Sequence, residues 1–178
     1  PMVLGHEMAG VVEALGPGVG DLQRGDHVVA SFVPSCGVCA PCVAGRPALC
    51  EPGLQSNTAG TLLSGERRLC QHVVPVNHHL GVSGFAEWAT VSRRSLVRVD
   101  PTLPFAEAAL FGCAVITGVG AVVNTAAMPR HSTLAVIGLG GVGLAALLAG
   151  RMLESTAIIA IDLNEAKLAQ ARALGVTL

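Results

Sequence analysis

At 178 residues the chain is long enough for one domain or for parts of two, and only 13% of it is charged, against about 25% in ordinary soluble domains. A net charge of −1 with no basic run removes the electrostatic drive for nucleic-acid binding. Two uncharged windows, 108–128 and 132–150, are about long enough to span a bilayer. The second holds five glycines and the first an asparagine, two threonines and a cysteine, so both are read as buried core with no membrane partner.

The chain opens P-M-V-L-G-H-E, which has neither the charged start nor the apolar core of a signal peptide. The cysteines are therefore expected in a reducing compartment, and the cytoplasm is the expected location. Residues 8–15 read as a strand and Gly16-Pro17-Gly18 as its turn. His6 and Glu7 sit just before it. Histidine is a standard zinc ligand and a neighbouring carboxylate can act on the metal, but by itself such a pair reads as surface. A second turn and strand cover 24–30.

Residues 36–50 carry four of the six cysteines, Cys36, Cys39, Cys42 and Cys50, spaced C-x2-C-x2-C-x7-C. Four thiolates close a tetrahedral zinc site and leave no position for a substrate, so a structural metal lobe is expected at about 34–52. Gly37, Pro41 and Gly45 let the backbone turn around the ion. A disulfide pair is the alternative, weakened by the crowding of three cysteines into one short loop.

Residues 55–82 are polar and glycine-punctuated and carry Cys70, His72, His78 and His79, to which the pattern gives no role. Residues 85–91 and 95–99 read as strands. Many short strands with turns suggest a partly open β-barrel. Beyond Pro101 the composition shifts. Residues 104–111 have helix character. Cys113, alone among apolar neighbours, reads as a buried inert thiol. Residues 114–127 read as a buried helix, interrupted at Gly118 and Gly120.

A strand at 133–137 is followed by G-L-G-G-V-G, a helix to 153, a strand at 157–161 and Asp162. Gly138, Gly140 and Gly143 form a Gly-x-Gly-x-x-Gly motif, with Gly141 and Val142 inside it, and Asp162 lies 19 residues past the last glycine. In this strand–turn–helix–strand–acid setting the motif is a dinucleotide cradle. The helix N-terminus offers free N–H groups to the pyrophosphate. Asp162 would accept the ribose hydroxyls and repel a 2′-phosphate, which favours NAD over NADP. Lys167 would reach the same ribose, a solvated helix lysine being the equal alternative. Residues 164–174 read as a helix closed by Gly175.

With these parts in order, the sequence resembles the zinc-dependent alcohol dehydrogenases of the medium-chain dehydrogenase/reductase family. The G-H-E opening, the four-cysteine lobe, the G-C before the coenzyme segment and the G-L-G-G-V-G…Asp unit match in type and order. The resemblance implies an α/β plus β chain: a GroES-like catalytic barrel at 1–114, then the first half of a Rossmann domain, a doubly wound parallel sheet, at 115–178. It implies two zinc ions per full-length subunit, one structural and one catalytic, with NAD as coenzyme. His6 and Cys113, 107 residues apart, would hold the catalytic zinc, with Glu7 as the neighbouring carboxylate. Thr117 and Val142 would lie against the nicotinamide, and Phe32 would line the substrate pocket.

The family's third catalytic ligand is a cysteine upstream of the G-H-E, so the chain is expected to be a piece lacking both ends. The implied reaction is reversible hydride transfer between a small alcohol and NAD, giving an aldehyde or ketone, in a homodimer or homotetramer. A zinc-free quinone or enoyl reductase of the same family and a non-catalytic zinc- and nucleotide-binding remnant are the alternatives. The former has no need of the cysteine lobe or of Cys113.

Overall fold

The structure, a computed structural model, describes residues 1–176, so the last two positions of the expected second domain lie outside the described residues. The chain divides into two compact units, Pro1–Cys113 and Ala114–Leu178.

The first unit is built from short strands. Strands β1 (Met2–Val3), β2 (Met8–Val11) and β3 (His27–Ala30) come first. Helices α1 (Ala40–Val43) and α2 (Glu51–Ala59) follow. After them come β4 (Leu69–Gln71), β5 (Val74–His78) and β6 (Leu96–Arg98). Helix α3 (Phe105–Ala108) runs into a 3₁₀ turn, Ala109–Gly112. The strands form two sheets, ordered β1-β5-β4 and β2-β3-β6. In the second, Met8 stands opposite Ala30 and Val28 opposite Arg98, both pairings antiparallel. Being central, β3 buries its V-V-A run, while Val11 on the flanking β2 stays exposed. Val12, Leu22 and Val28 make the core there, packed by Val19 and Leu96.

Three expectations change in this unit. The strand foreseen at 8–15 ends at Val11. Its partner β3 begins only after the turn at Gly25 (φ +92°), so residues 13–15 have no neighbouring backbone to pair with. Residues 85–91 form no strand. The N–H of Phe85 bonds to the Leu4 carbonyl at 3.0 Å, and the chain then bends through exposed Phe85 and Trp88. The unassigned stretch 55–82 contains the end of α2 and the β4–β5 hairpin. Helix α2 escapes sequence reading because E-P-G-L-Q-S-N-T-A carries no apolar stripe. Its N-cap is a cysteine, with Cys50 Sγ accepting the Gly53 N–H at 3.3 Å.

The second unit starts with α4 (Ala114–Gly120), which continues as a π-helix over Ala121–Thr125. Then come β7 (Thr133–Ile137), α5 (Gly141–Met152), β8 (Ala157–Ile161) and α6 (Glu165–Ala173). β7 and β8 pair in parallel, Thr133 opposite Ala157, as a βαβ unit requires. Val136, Ile158 and Ala160 point to one side and pack with Leu139, Leu147 and Ala171. Ile137, Ile159 and Ile161 point to the other and stay exposed. Helix α4 is not interrupted at Gly118. A Cβ there would meet the Val142 carbonyl at 2.2 Å, so the glycine lets α4 and α5 touch. Asn164 caps α6 by accepting the Ala166 N–H at 2.9 Å, and Gly175 (φ +80°) closes it. Among the described residues no single helix is long and apolar enough to cross a membrane.

Candidate functional site

The four cysteines converge. Their sulfurs all lie within 4.8 Å of one another, with Cys39 Sγ and Cys50 Sγ 3.9 Å apart. A zinc ion with 2.3 Å bonds to sulfur has tetrahedral edges of about 3.8 Å, whereas a disulfide needs about 2.05 Å. Among the described residues no cysteine is in a disulfide. Gly37 (φ +78°) makes the tight turn between the first two. Backbone N–H groups point at the sulfurs: Cys36 N to Cys50 Sγ at 3.2 Å, and Val38 N and Cys39 N to Cys36 Sγ at 3.5 and 3.3 Å. The Val38 and Cys39 N–H groups lower the Cys36 thiol to about 6. Burial pushes Cys42 up to about 12, against the Gly37 N–H. A donor set of four sulfurs fits zinc.

His6 lies on the segment ahead of β2. Gly5 (φ +99°) must be a glycine, since a Cβ would meet the Phe85 backbone nitrogen at 2.5 Å. The Gly84 N–H bonds to the Gly5 carbonyl at 2.9 Å, which fastens loop 79–85 beside His6. Two rings flank the imidazole edge-on, Phe32 with centroids 5.5 Å away and His79 at 5.7 Å. Phe32 is the residue that the resemblance expects to line the substrate pocket. His79 was not assigned, and no local spacing links it to His6. His78, next in the chain, is buried, accepts the Arg68 N–H at 3.0 Å on Nε2, and has its pKa lowered by that burial. It is a structural residue. Cys70 and His72 are exposed on the β4–β5 hairpin.

Cys113 follows the 3₁₀ turn Ala109–Gly112, which packs on β2 and β3. A Cβ at Gly112 would meet the Ala30 carbonyl at 2.3 Å, so the glycine seats the turn on the central strand. Cys113 thus sits at the end of a segment held against the sheet that His6 and Glu7 lead into. Among the described residues, the four cysteines are the one set of three or more ligand atoms within 4.8 Å, and His6, Glu7 and Cys113 do not form another.

The glycine motif folds as expected. Gly138 has φ +90°, and a Cβ at Gly143 would lie 1.9 Å from the Gly138 carbonyl. At Gly140 nothing lies within 4 Å of where a Cβ would be. The fold makes no demand for glycine there, whereas a pyrophosphate lying on the backbone would. Helix α5 starts with Gly140 as its N-cap and no side-chain cap, leaving its first amides free for an anion. Asp162 Oδ2 accepts the Leu139 N–H at 2.7 Å and Oδ1 the Asn164 N–H at 2.9 Å. Lys167 Nζ stands 3.6 Å from Oδ2. The Leu139 N–H first, then Asn164 and Lys167, hold the Asp162 carboxyl below its usual range. Thr117 and Val142 are both exposed, one residue away from and directly at the Gly118–Val142 contact. An open cavity of about 590 Å³ runs from the glycine loop along β7 to Val122 and Ala126.

Residues 1–101 match the alcohol dehydrogenase GroES-like domain. A solved alcohol dehydrogenase zinc-binding domain protein from Burkholderia ambifaria is 38% identical with a TM-score of 0.93, over 99% of this chain and 48% of that one. Benzyl alcohol dehydrogenase from Acinetobacter calcoaceticus is 39% identical with a TM-score of 0.91, again over 99% and 48%. An alcohol dehydrogenase from Thermus sp. ATN1 is 30% identical with a TM-score of 0.75, over 98% and 46%. The chain thus spans about half the length of the solved structures it matches. With a GroES-like domain followed by part of a Rossmann sheet, it belongs to the zinc-dependent alcohol dehydrogenases of the medium-chain dehydrogenase/reductase family.

Proposed function

We propose that the protein is an NAD-linked zinc alcohol dehydrogenase, transferring hydride reversibly between a small alcohol and NAD to give an aldehyde or ketone. The observation that carries this is the glycine loop: an uncapped helix N-terminus, an unfilled Gly140 and an ionised Asp162 in one βαβ unit. When bound, zinc would supply Lewis acidity toward the alcohol oxygen and NAD would supply the hydride acceptor.

The chain's own residues do the rest. The N–H groups from Gly141 to Gly143 hold the pyrophosphate, and Asp162 with Lys167 orients the adenosine ribose. Thr117 and Val142 face the nicotinamide. His6 and Cys113 hold the catalytic zinc together with a ligand from another part of the parent chain, and Glu7 is the adjacent carboxylate. Phe32 and His79 wall the substrate side and exclude water. Cys36, Cys39, Cys42 and Cys50 hold the structural zinc. The active protein is a cytoplasmic homodimer or homotetramer, with the GroES-like domain ending at residue 114.

Benzyl alcohol is the first substrate to test, because of the rings beside His6 and the likeness to a benzyl alcohol dehydrogenase. The test is NADH formation by the full-length protein, with zinc content and NAD titration. His6→Ala and Cys113→Ser are expected to abolish oxidation and leave NAD binding intact. Full activity in either variant overturns the catalytic-zinc assignment, and absent NAD binding in the parent protein overturns the function.

A further inference from the structure

We propose that Arg94 is a positioning residue of the four-cysteine site, its guanidinium serving as the counter-charge to the metal–thiolate centre. The inference rests on reading those cysteines as a metal site. Arg93 and Arg94 form a 3₁₀ turn with Ser95, fixed by Ser92 Oγ accepting the Arg94 N–H at 3.3 Å. The two arginines part company there. Arg93 grips both oxygens of Asp21, at 2.7 and 2.5 Å, and donates to the Leu96 carbonyl at 2.7 Å.

Arg94 instead lies on the cysteine loop. A Cβ built on Gly37 would be 2.2 Å from its Cζ, 2.3 Å from Nη1 and 2.6 Å from Nη2. The guanidinium fills the space a side chain at position 37 would take, between the first two cysteines. Gly37 is also the residue whose N–H points at Cys42 Sγ. Among the described residues no carboxylate stands within 4.0 Å of Arg94. A zinc ion with four thiolates carries a net charge of −2. Within residues 34–54 the charged side chains are Arg46 and Glu51, which cancel, so the lobe supplies no balance of its own. An otherwise unpaired cation laid on the turn of an anionic centre supplies part of it. Partners just outside the ligands tune metal retention, and their loss costs about 10- to 100-fold in affinity.

The test follows zinc transfer from the full-length protein to the chromogenic chelator pyridylazoresorcinol. Loss of one kinetic phase in Cys39→Ser identifies the phase belonging to the lobe. In Arg94→Gln that phase is expected to run about tenfold faster. Wild-type release should accelerate between about 0.05 M and about 0.5 M NaCl, as screening weakens the pairing, while Arg94→Gln release changes little. Arg94→Lys keeps the charge and should fall between the two. Release from Arg94→Gln at the wild-type rate overturns the proposal, as does equal acceleration in Gln and Lys variants, which would mean packing alone. If Cys39→Ser loses no phase and its zinc content matches wild type, the metal reading of the lobe fails, a distinct result.

Discussion

The carboxylate of Asp162, at the end of β8, accepts the backbone N–H of Leu139 at 2.7 Å, in the middle of the glycine loop 23 residues earlier. One side chain thus fixes the loop, and under the proposed function the same carboxylate would meet the coenzyme ribose. Asp162→Ala is expected to weaken NAD binding about 10- to 100-fold, since a charge-assisted hydrogen bond is lost and the Leu139 amide is freed. Asp162→Asn should retain part of the loop contact but lose the charge that repels a 2′-phosphate. Its NAD:NADP preference should shift toward NADP, measured by calorimetric titration with both nucleotides. Unchanged preference would mean that the carboxylate does not face the ribose.

Gly143 and Gly140 belong to one motif, yet the structure gives them opposite sensitivities. A methyl at 143 would press into the Gly138 carbonyl at 1.9 Å, backbone against backbone, so Gly143→Ala should destabilise the unit by about 1–3 kcal/mol. A methyl at 140 meets open space, so Gly140→Ala should fold and melt like the wild type. Its cost should appear only on adding NAD, as an affinity loss of tenfold or more, because the methyl keeps the pyrophosphate off the amides. Thermal melts with and without NAD separate the two effects.

The glycine loop and the cysteine lobe were legible in the sequence for the same reason: each puts all its chemistry within one short stretch of chain. The spacing of Cys36 to Cys50 implies a convergence that the sulfur positions then show. The strand, turn and helix around Gly138 likewise follow from local pattern. What escaped reading depends on partners far away in the chain. Residues 85–91 alternate well enough for a strand, but their first amide is taken by Leu4 and no ladder forms. Helix α2 is held by its cysteine cap and by Gly53, where a Cβ would meet the Pro34 carbonyl at 2.1 Å, rather than by an apolar face.

The neighbourhood of His6 shows the same limit at the candidate site. Its rings come from positions 32 and 79, the latter on a loop fastened by the Gly84–Gly5 hydrogen bond, and nothing near residue 6 announces them. Cys113 looks inert in its apolar surroundings. Only the resemblance pairs it with His6, and the packing of the 109–112 turn on β2 and β3 is something no spacing rule encodes.

The lobe itself should respond to metal removal as a folding element. Helix α2 starts at Cys50, whose sulfur both caps it and faces Cys39 at 3.9 Å. Chelation, or Cys39→Ser, is expected to lower zinc content by one per chain, to lower the melting temperature and to loosen residues 36–59 first, because metal binding here is folding free energy. Hydrogen exchange reads this directly: amides of α2 should lose protection while those of β7 and β8 keep theirs. Equal protection with and without metal would separate the helix from the site.

Acid should act through three aspartates whose folded pKa values are depressed. Arg93 lowers Asp21, Thr102 lowers Asp100, and the Leu139 N–H lowers Asp162. Protonation then favours the unfolded chain, in which the ordinary value is about 3.9. Their stabilisation is complete above that value and disappears as pH falls through the lower folded values. Asp21 is the cleanest probe, because its partner Arg93 is 72 residues away and the pair joins the turn before β6 to the loop before β3. Asp21→Asn should lower the melting temperature at pH 7, and the gap from wild type should close as pH drops below about 4. With the Asp21 side chain 67% exposed, salt should shrink the gap at pH 7 as well. A gap that stays constant into strong acid would show that the carboxylate charge plays no part in holding the two segments together.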